Sequence, residues 1–506
     1  MFTQVLSAAI YGVDARIVRV EADVSDGLPS FSMVGYVSAQ VKEAQDRVRT
    51  AVRNIGLALP PKRVTINLAP ADIRKEGPRF DLPIAAAVLC AAGRIAPKAL
   101  EGTMVLGELG LNGAICPVSG VLHSVLAARD CGCKVCILPL GNLAEGRNVH
   151  GMRIVGLATL AELAAYCCDP EGYVQQEPAM EPAKAVAKKG DFADIHGQEQ
   201  VKRAALLSVA GFHNLLMVGP PGSGKTMAAS RLAGLMPDMT EAESLEVTKI
   251  YSVAGLLPEQ AALLTERPFR APHHTISPQA LAGGGRFPRP GEITLAHRGV
   301  LFLDELPEFS RTGLEILRQP IEDKRIVISR SQGTVIFPAD FILVAAMNPC
   351  PCGYYPDMNR CTCTAGQISS YIHRISQPLL DRIELCVEAP PLTYKELGQP
   401  GAAMDTRTLK GQVADAFAIQ KKRYRGEGFL YNSQLGAGDL ERYCALSPEA
   451  ETVLMRMYDK LGLSARGCHR LVKVARTAAD LDHSDRIEKP HILEACSYRN
   501  AGKKFW

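Results

Sequence analysis

The stretch "HNLLMVGPPGSGKTMAASRLAGLM" constrains the fold of this chain more than any other part of the sequence. It contains Gly219-x-x-x-x-Gly224-Lys225-Thr226 directly after "NLLMVG", an apolar run that predicts a β-strand. A glycine-rich turn between a strand and a helix is the context in which this motif binds phosphate groups. The motif therefore predicts a P-loop nucleotide-binding α/β domain.

Each part of this loop has a predicted role in binding a nucleoside triphosphate with Mg²⁺. Backbone N–H groups would face phosphate oxygens, Lys225 would reach the β- and γ-phosphates, and the Thr226 hydroxyl would bind Mg²⁺. The helix N-terminus adds a partial positive charge. The predicted nucleotide-binding residues are Gly219, Pro220, Pro221, Gly222, Ser223, Gly224, Lys225 and Thr226.

Two later apolar strands end in polar side chains that suit hydrolysis of the bound nucleotide. "GVLFLDEL" ends in Asp304, which suits the outer shell of Mg²⁺, and Glu305, which suits polarising the attacking water. "FILVAAMNP" ends at Asn348, which could hold that water between itself and Glu305. Together with Lys225, these residues are the predicted catalytic groups.

Four cysteines in "NPCPCGYYPDMNRCTCT" form two C-x-C pairs with eight residues between them. Tight cysteine pairs on a short loop suit tetrahedral Zn²⁺ ligation, which predicts a structural zinc site at Cys350, Cys352, Cys361 and Cys363. Four reduced thiols without a metal are the alternative. The three cysteines of "CGCKVC", at positions 131, 133 and 136, are instead predicted to pack in a core.

Bulk composition excludes several classes of protein. The 506 residues are 47% hydrophobic, which favours a folded protein of several domains over a disordered chain. A net charge of only +4 means that nucleic acid would have to be bound by local basic patches. Fifteen cysteines without a recognisable secretion signal favour reduced thiols or metal ligands and a cytoplasmic location, and the longest apolar run is too short to span a bilayer.

The motifs taken together resemble those of the AAA+ ATPases, and the sequence between them indicates a more specific family. "RPFRAPHHTIS", "GGGRFPRPGEITLAHRGVLFLDELPEF" and "ISQPLLDRIEL" resemble the magnesium-chelatase clade, most closely the YifB/ComM family, over essentially the whole chain. The resemblance implies an ATPase ring, expected to be a homohexamer, with ATP at the subunit interfaces. Arg382 matches the arginine finger supplied to a neighbouring subunit, with Arg374 close by; Arg466 matches the sensor-2 arginine, with Arg470 as the alternative.

The N-terminal part resembles the proteolytic domain of Lon in "KEGPRFDLPIAAAVL" and "LGELGLNGAICPVSGVLHSVLAARD". The Lon-type serine position holds Arg79, and the lysine position holds Leu122. Neither side chain can act as the nucleophile or the general base, so the resemblance implies a non-proteolytic domain.

These patterns predict an α/β multidomain protein. Residues 1–169 form a Lon-protease-like α+β domain (ribosomal protein S5 domain 2-like), followed by a linker over 170–190. Residues 191–393 form the AAA+ P-loop core with chelatase-type hairpin inserts and the cysteine loop. Residues 394–506 form a helical lid, similar to the C-terminal domain of magnesium chelatase.

Basic residues lie in a predicted exposed loop before the Asp304 strand, which also holds His273 and His274, and around a predicted β-hairpin after it, where they suit contact with a phosphate backbone. These DNA-binding candidates are Arg267, Arg270, Arg286, Arg289, Lys324, Arg325 and Arg330. The resemblance implies a DNA motor, a helicase or branch-migration translocase in homologous recombination or natural transformation. The alternatives are a protein-remodelling ATPase and a chelatase-type motor that works through a partner subunit. His273-His274 as a metal pair is a further alternative.

Overall fold

The computed structural model describes residues 1–177, 190–258, 263–285, 288–330, 333–392 and 405–503, with only the backbone described for 500–503. The chain divides into two compact units. The first comprises Met1–Lys184 and Ser244–Leu264, and the second comprises Ala185–Glu243 and Thr265–Trp506. The predicted linker over 170–190 lies mostly outside the described residues.

The first unit is built on a seven-stranded mixed sheet in the order β3-β4-β2-β1-β5-β8-β9. The antiparallel pairs are β1 with β2 and β2 with β4; the other neighbours in this sheet are parallel. A short hairpin, β6 with β7, stands apart from it. The strands are β1 (Phe2–Tyr11), β2 (Asp14–Ser25), β3 (Ser30–Val34), β4 (Arg63–Ala69), β5 (Thr103–Val105), β6 (Glu108–Leu109), β7 (Ile115–Cys116), β8 (Val135–Pro139) and β9 (Arg153–Leu157).

Helices cover this sheet, and one of them is buried throughout. The helices are α1 (Ala39–Lys42), α2 (Ala44–Asn54), α3 (Asp81–Ala91), α4 (Val121–Asp130), α5 (Leu143–Gly146) and α6 (Leu160–Cys168). Every residue of α3 is buried, because its sequence is apolar on all sides apart from Asp81. The Asp81 carboxylate receives two hydrogen bonds from Arg47, at 2.7 and 2.9 Å, which compensates its burial.

The second unit contains a five-stranded parallel sheet in the order β11-β14-β17-β10-β18. Its strands are β10 (Leu215–Val218), β11 (Phe269–Arg270), β14 (Val300–Leu303), β17 (Ile342–Met347) and β18 (Leu385–Glu388). All residues of β10, β14 and β17 are buried. Continuous apolar strands of this kind are typical of a parallel sheet covered on both faces. The predicted α/β core is confirmed.

Two hairpins follow the sheet strands of the second unit. One pairs β12 (Gly283–Gly284) with β13 (Arg289–Pro290), and the other pairs β15 (Arg325–Arg330) with β16 (Gly333–Pro338). A Cβ placed on Gly284 would lie 3.7 Å from Nη2 of Arg330, so the two hairpins are neighbours. The second hairpin agrees with the sequence prediction.

The helices of the core are α7 (Glu199–Gly211), α8 (Lys225–Leu235), α9 (Glu241–Ala254), α10 (Pro278–Ala282), α11 (Glu292–Leu295), α12 (Arg311–Ile316), α13 (Arg318–Asp323), α14 (Ala365–Ile372) and α15 (Gln377–Leu380). The C-terminal part is helical, as predicted: α16 (Thr406–Arg423), α17 (Ala437–Tyr443), α18 (Pro448–Leu461), α19 (Ala465–Leu481) and α20 (Lys489–Lys503). Asp480 is fully buried between Arg423 and Arg476, at 2.5 and 3.1 Å.

The second compact unit contains both the predicted core and the predicted helical lid, and one segment of the predicted core is placed elsewhere. Ser244–Leu264 lies within the predicted AAA+ range, yet it belongs to the first unit together with most of α9. The Ser252 hydroxyl donates to a Glu145 Oε1 at 2.5 Å, and the Ser252 carbonyl accepts from the Gly120 N–H at 3.1 Å. Among the described residues, the structure has no helix with the length and apolar character that a bilayer span requires.

Candidate functional site: a phosphate loop at the ends of parallel strands

The loop Gly219–Gly224 joins β10 to α8, which begins at Lys225. Gly222 and Gly224 have φ angles of +78° and +84°, the left-handed region that glycine adopts without a steric cost. A Cβ on Gly219 would lie 2.1 Å from the Ala389 carbonyl oxygen, so the loop packs against the backbone that follows β18. These three positions therefore require glycine for backbone reasons.

Gln198 braces the same loop from outside the motif. This residue precedes α7 in a left-handed conformation with φ of +56°. Its Nε2 donates to the Ser223 carbonyl at 3.3 Å and to the Pro390 carbonyl at 2.6 Å. Gln198 was not predicted from the sequence, because its contact with Pro390 spans almost two hundred residues and no local pattern indicates it.

The Lys225 ammonium lies inside the curl of its own loop. Its Nζ donates to the carbonyl oxygens of Gly219 at 2.7 Å and Pro220 at 2.9 Å. It also lies 3.4 Å from Oδ1 of Asn348. Burial lowers the pKa of Lys225, although the carboxylates of Asp304 and Glu305 oppose this effect. A phosphate would offer this cation the counter-charge that the surrounding carbonyl groups lack.

The predicted Mg²⁺ residues meet at the carboxyl ends of β10 and β14. The Thr226 hydroxyl donates to Oδ2 of Asp304 at 2.7 Å. A hydroxyl and a carboxylate in contact are oxygen ligands of the kind that Mg²⁺ takes beside phosphates. The donor set therefore fits a Mg²⁺–nucleotide complex.

Glu305 follows Asp304 in a left-handed conformation, with φ of +53°, which is uncommon for a residue with a side chain. Its backbone N–H donates to Oδ1 of Asp304 at 2.9 Å. Oε2 of Glu305 lies 3.3 Å from Nδ1 of His274, and the His273 ring lies 4.1 Å from the His274 ring. The two histidines were predicted to form a metal pair or to lie in an exposed loop. The contact of His274 with Glu305 was not predicted.

The arginines predicted for the ring differ in exposure. Arg382 is mostly buried and pairs with Glu322 at 2.9 Å, whereas the Arg374 side chain is 53% exposed and pairs with Glu308 at 2.8 Å. Arg466 is exposed on the first turn of α19, and Arg470 lies 4.0 Å from the same Glu322. Their roles as finger and sensor stay predictions, because both concern a nucleotide or a neighbouring subunit.

Two of the predicted DNA-binding arginines are occupied inside the fold. The prediction that Arg267 binds DNA is wrong. Its guanidinium is buried, donates to the carbonyl oxygens of Pro237 and Arg298, and pairs with Glu243 at 3.3 Å. A buried guanidinium cannot meet a phosphate backbone without unfolding its surroundings. Arg270 makes a bidentate ion pair with Glu292, at 2.6 and 2.7 Å.

The remaining basic candidates lie on or beside the hairpins. Arg289, Arg325 and Arg330 are exposed. Lys324 is partly buried, 3.5 Å from Asp340 and 5.7 Å from the centre of the Phe212 ring. Arg286 lies outside the described residues.

The four cysteines predicted to hold zinc come together. Their Sγ atoms all lie within 4.8 Å of one another, and three of the pairs are separated by 3.4, 3.6 and 3.8 Å. Four sulfurs around a tetrahedral Zn²⁺ at the usual Zn–S length are separated by about 3.8 Å. The cluster therefore fits a tetrahedral metal. Of the three cysteines in "CGCKVC", Cys133 and Cys136 are buried as predicted, whereas Cys131 is exposed.

The first unit buries the two positions at which a Lon-type peptidase would carry its dyad. Arg79 is buried, and its guanidinium donates to the carbonyl oxygens of Ala8 and Ser119. Leu122 is buried, and its N–H donates to Oε1 of Glu145 at 2.9 Å. The likeness of this unit to Lon stays a prediction.

Comparison with known proteins gives matches over almost the whole chain. Three family models match: "Magnesium chelatase, subunit ChlI" over residues 191–397, "Subunit ChlI of Mg-chelatase" over 20–142, and "Magnesium chelatase, subunit ChlI C-terminal" over 403–499. The protein YifB of Escherichia coli (strain K12) is 43% identical over 97% of this chain and 96% of its own.

Two further relatives differ in how much of the chain they match. Competence protein ComM of Haemophilus influenzae is 42% identical over 98% of this chain and 97% of its own. The magnesium-chelatase 38 kDa subunit of Rhodobacter capsulatus is 27% identical over 31% of this chain and half of its own.

Proposed function

Since the chain belongs to the YifB/ComM family of magnesium-chelatase-like proteins, we propose that it is an ATP-hydrolysing AAA+ ring motor that acts on DNA. Its task would be helicase or branch-migration translocation in homologous recombination or natural transformation. The observation that carries the ATPase part is the contact of Thr226 with Asp304, with Lys225 beside it and Glu305 at the same strand end. The name of the competence protein relative supports the DNA part.

The phosphate loop would bind ATP through the backbone N–H groups at the start of α8 and through Lys225. Thr226 and Asp304 would hold Mg²⁺, which supplies charge neutralisation at the phosphates. Glu305 would orient and polarise the attacking water, and Asn348 would hold the same water from the end of β17. Glu305→Gln should therefore bind ATP and lose turnover by about 10²-fold or more.

In the proposed ring, each subunit supplies an arginine to the nucleotide bound by its neighbour. An arginine finger of this kind raises turnover by about 10³-fold or more. Arg382 is the first candidate from its motif, and the more exposed Arg374 is the second. Mixing separates the roles of the two partners. Arg382→Ala subunits keep an intact phosphate loop, and Lys225→Ala subunits keep an intact finger, so a mixed ring should regain hydrolysis that neither variant shows alone. Arg374→Ala subunits, mixed in the same way, test the second candidate.

The two adjacent hairpins provide the DNA contact in this proposal. Arg289, Arg325 and Arg330 are exposed, and Arg330 lies close to Gly284 of the other hairpin. Exposed guanidinium groups on neighbouring hairpins suit a phosphate backbone, and such binding weakens as salt concentration rises.

The test is steady-state ATP hydrolysis by the purified chain, alone and with single-stranded, duplex or four-way-junction DNA, with casein in parallel. We expect DNA to stimulate hydrolysis, most strongly when branched. Arg325→Ala/Arg330→Ala should reduce this stimulation while basal hydrolysis persists. Arg442→Ala is the matched control, because Arg442 is an exposed arginine on α17 that pairs with Glu427 and is not part of either hairpin.

A protein-remodelling or chelatase-type ATPase acting through a partner subunit is the second candidate function. The match to the magnesium-chelatase 38 kDa subunit favours it, although that match covers only 31% of this chain. Stimulation by casein, or no response to any DNA, would contradict the DNA motor and favour this candidate.

We also propose that Cys350, Cys352, Cys361 and Cys363 hold a structural Zn²⁺. The support is the spacing of the sulfurs, which fits tetrahedral thiolate ligation. The purified chain should contain about one zinc per subunit by elemental analysis, and Cys361→Ser/Cys363→Ser should lack it.

A further inference from the structure

The cysteine loop lies directly against the phosphate loop. Gly353 follows the second cysteine and has φ of +86°. A Cβ placed there would lie 2.5 Å from Cδ and 2.9 Å from Cγ of Pro221. Real Cβ atoms do not approach other carbon atoms so closely, so the backbone at Gly353 is packed against a residue of the nucleotide site.

The same loop also continues from the water-holding residue. Asn348 follows β17, and Cys350 lies two residues beyond it. The Asn348 side chain reaches Lys225 at 3.4 Å. The loop therefore approaches the nucleotide site at two points: through Asn348 at Lys225, and through Gly353 at Pro221.

The described residues between β17 and α14 form neither a helix nor a strand. Its backbone hydrogen bonds are short-range ones within turns, such as Gly353 N–H to the Cys350 carbonyl and Cys361 N–H to the Asp357 carbonyl, so a cross-link between its two ends would remove further conformational freedom. The four thiols are the groups placed to do this, and Cys350 and Cys361 are buried. A metal bound by them closes the loop into one conformation, because metal-binding free energy is available to order the ligands.

We propose that the metal held by these four cysteines positions the phosphate loop, so that nucleotide affinity depends on an ion that never touches the nucleotide. The inference rests on the proposed zinc site, and it goes beyond it by assigning the ion a function. The ion orders the loop, the loop fixes Gly353, and Gly353 limits the movement of Pro221 and hence of the backbone N–H groups that follow it. The residues around the metal are positioning residues and take no part in the reaction.

The test is the affinity for a fluorescent ADP analogue, measured with the full chain in three states: as purified, after zinc removal by a chelator, and after Zn²⁺ is restored. Mg²⁺ is kept in excess once the chelator has been removed. We expect about a tenfold loss of affinity on zinc removal and its recovery on restoring Zn²⁺. Unchanged affinity of a zinc-free, folded chain would overturn the inference.

A second variant avoids the cysteines, whose replacement could unfold the loop. Gly353→Ala keeps all four ligands but introduces the clash with Pro221, so it should weaken ADP-analogue binding about tenfold while zinc content stays unchanged. Gly426→Ala is the matched control: Gly426 has a similar φ of +90°, and a Cβ there would meet nothing within 4 Å. Equal effects of the two substitutions would show backbone strain alone and would contradict the contact.

The outcomes separate this inference from the proposals before it. A chain that contains no zinc as purified and gains no affinity when Zn²⁺ is added contradicts both the zinc site and its function. A chain whose affinity follows zinc but whose hydrolysis ignores DNA contradicts only the DNA motor.

Discussion

Each unit of this protein has a glycine-containing loop that leads from a strand into a helix, and the two loops differ in the exposure of the residues beside their charged side chain. In the second unit, Lys225 faces carbonyl groups of its own loop, and Thr226 is exposed next to Asp304. In the first unit, Arg79 is buried, and its guanidinium donates to the carbonyl oxygens of Ala8 and Ser119. Both cations are buried against carbonyl oxygens, but Thr226 next to Lys225 is exposed to solvent, whereas Phe80 and Asp81 after Arg79 are buried.

This difference indicates how a binding loop is distinguished from a structural one. A left-handed glycine before a helix occurs in both, at Gly224 with φ of +84° and at Gly77 with φ of +73°. What differs is whether the residues that follow the charged side chain are exposed, as Thr226 is, or buried, as Phe80 and Asp81 are. Removing the charged residue should therefore affect turnover in one unit and stability in the other.

The largest expected effect is on turnover in the second unit. Lys225→Ala removes the cation at the phosphates, so ATP hydrolysis should fall by about 10²- to 10³-fold while the chain stays folded. Steady-state phosphate release and circular dichroism measure the two quantities. Lys410→Ala is the control, because Lys410 makes only an exposed ion pair with Asp238. Turnover that survived Lys225→Ala would place the reaction elsewhere.

The next effect is on stability, in the first unit. Arg79→Met leaves two carbonyl groups without their donors and removes a nearby positive charge from the buried Glu145, which should cost about 2 kcal/mol in the free energy of unfolding. Urea denaturation followed by circular dichroism measures the loss. Arg79→Met/Glu145→Gln should lose less than the single variant, because no buried carboxylate remains. A neutral single variant would mean that Arg79 does not compensate Glu145.

The smallest effect concerns how Glu305, the carboxylate proposed to act in hydrolysis, is held. His274→Ala removes the ring nitrogen that lies 3.3 Å from Glu305, so turnover should fall about fivefold with little change in KM, because a base that is oriented less well acts less often. His273→Ala is the comparison, since the Nδ1 atom of His273 lies 3.0 Å from the Thr275 hydroxyl rather than close to Glu305. A rise in turnover would instead mean that His274 restrains Glu305.

Local patterns predicted the strands that carry the site, because a buried parallel strand has an apolar sequence and its carboxyl end is marked by the next polar residue. Asp304 and Asn348 were found in this way. Contacts between distant segments were not predictable. Arg267 has the sequence context of an exposed basic loop, yet its partners Glu243 and Pro237 lie more than twenty residues away. Gln198 and His274 were missed for the same reason.

The domain division shows the same limit. Ser244–Leu264 has the sequence of a helix within a P-loop domain, and nothing local indicates that Ser252 bonds Glu145 and Gly120 of the first unit. Amphipathic periodicity shows that a helix has a face to bury, but not which surface covers that face.

The discontinuity of the first unit has a consequence for synthesis on the ribosome. Its sheet is encoded before residue 160, but the segment that supplies Ser252 is translated only after the whole phosphate loop has been translated. Until then, the N–H of Gly120 and one oxygen of the Glu145 carboxylate lack their Ser252 partners. A nascent chain can therefore complete its first unit only after residues 185–243 of its second unit have been translated.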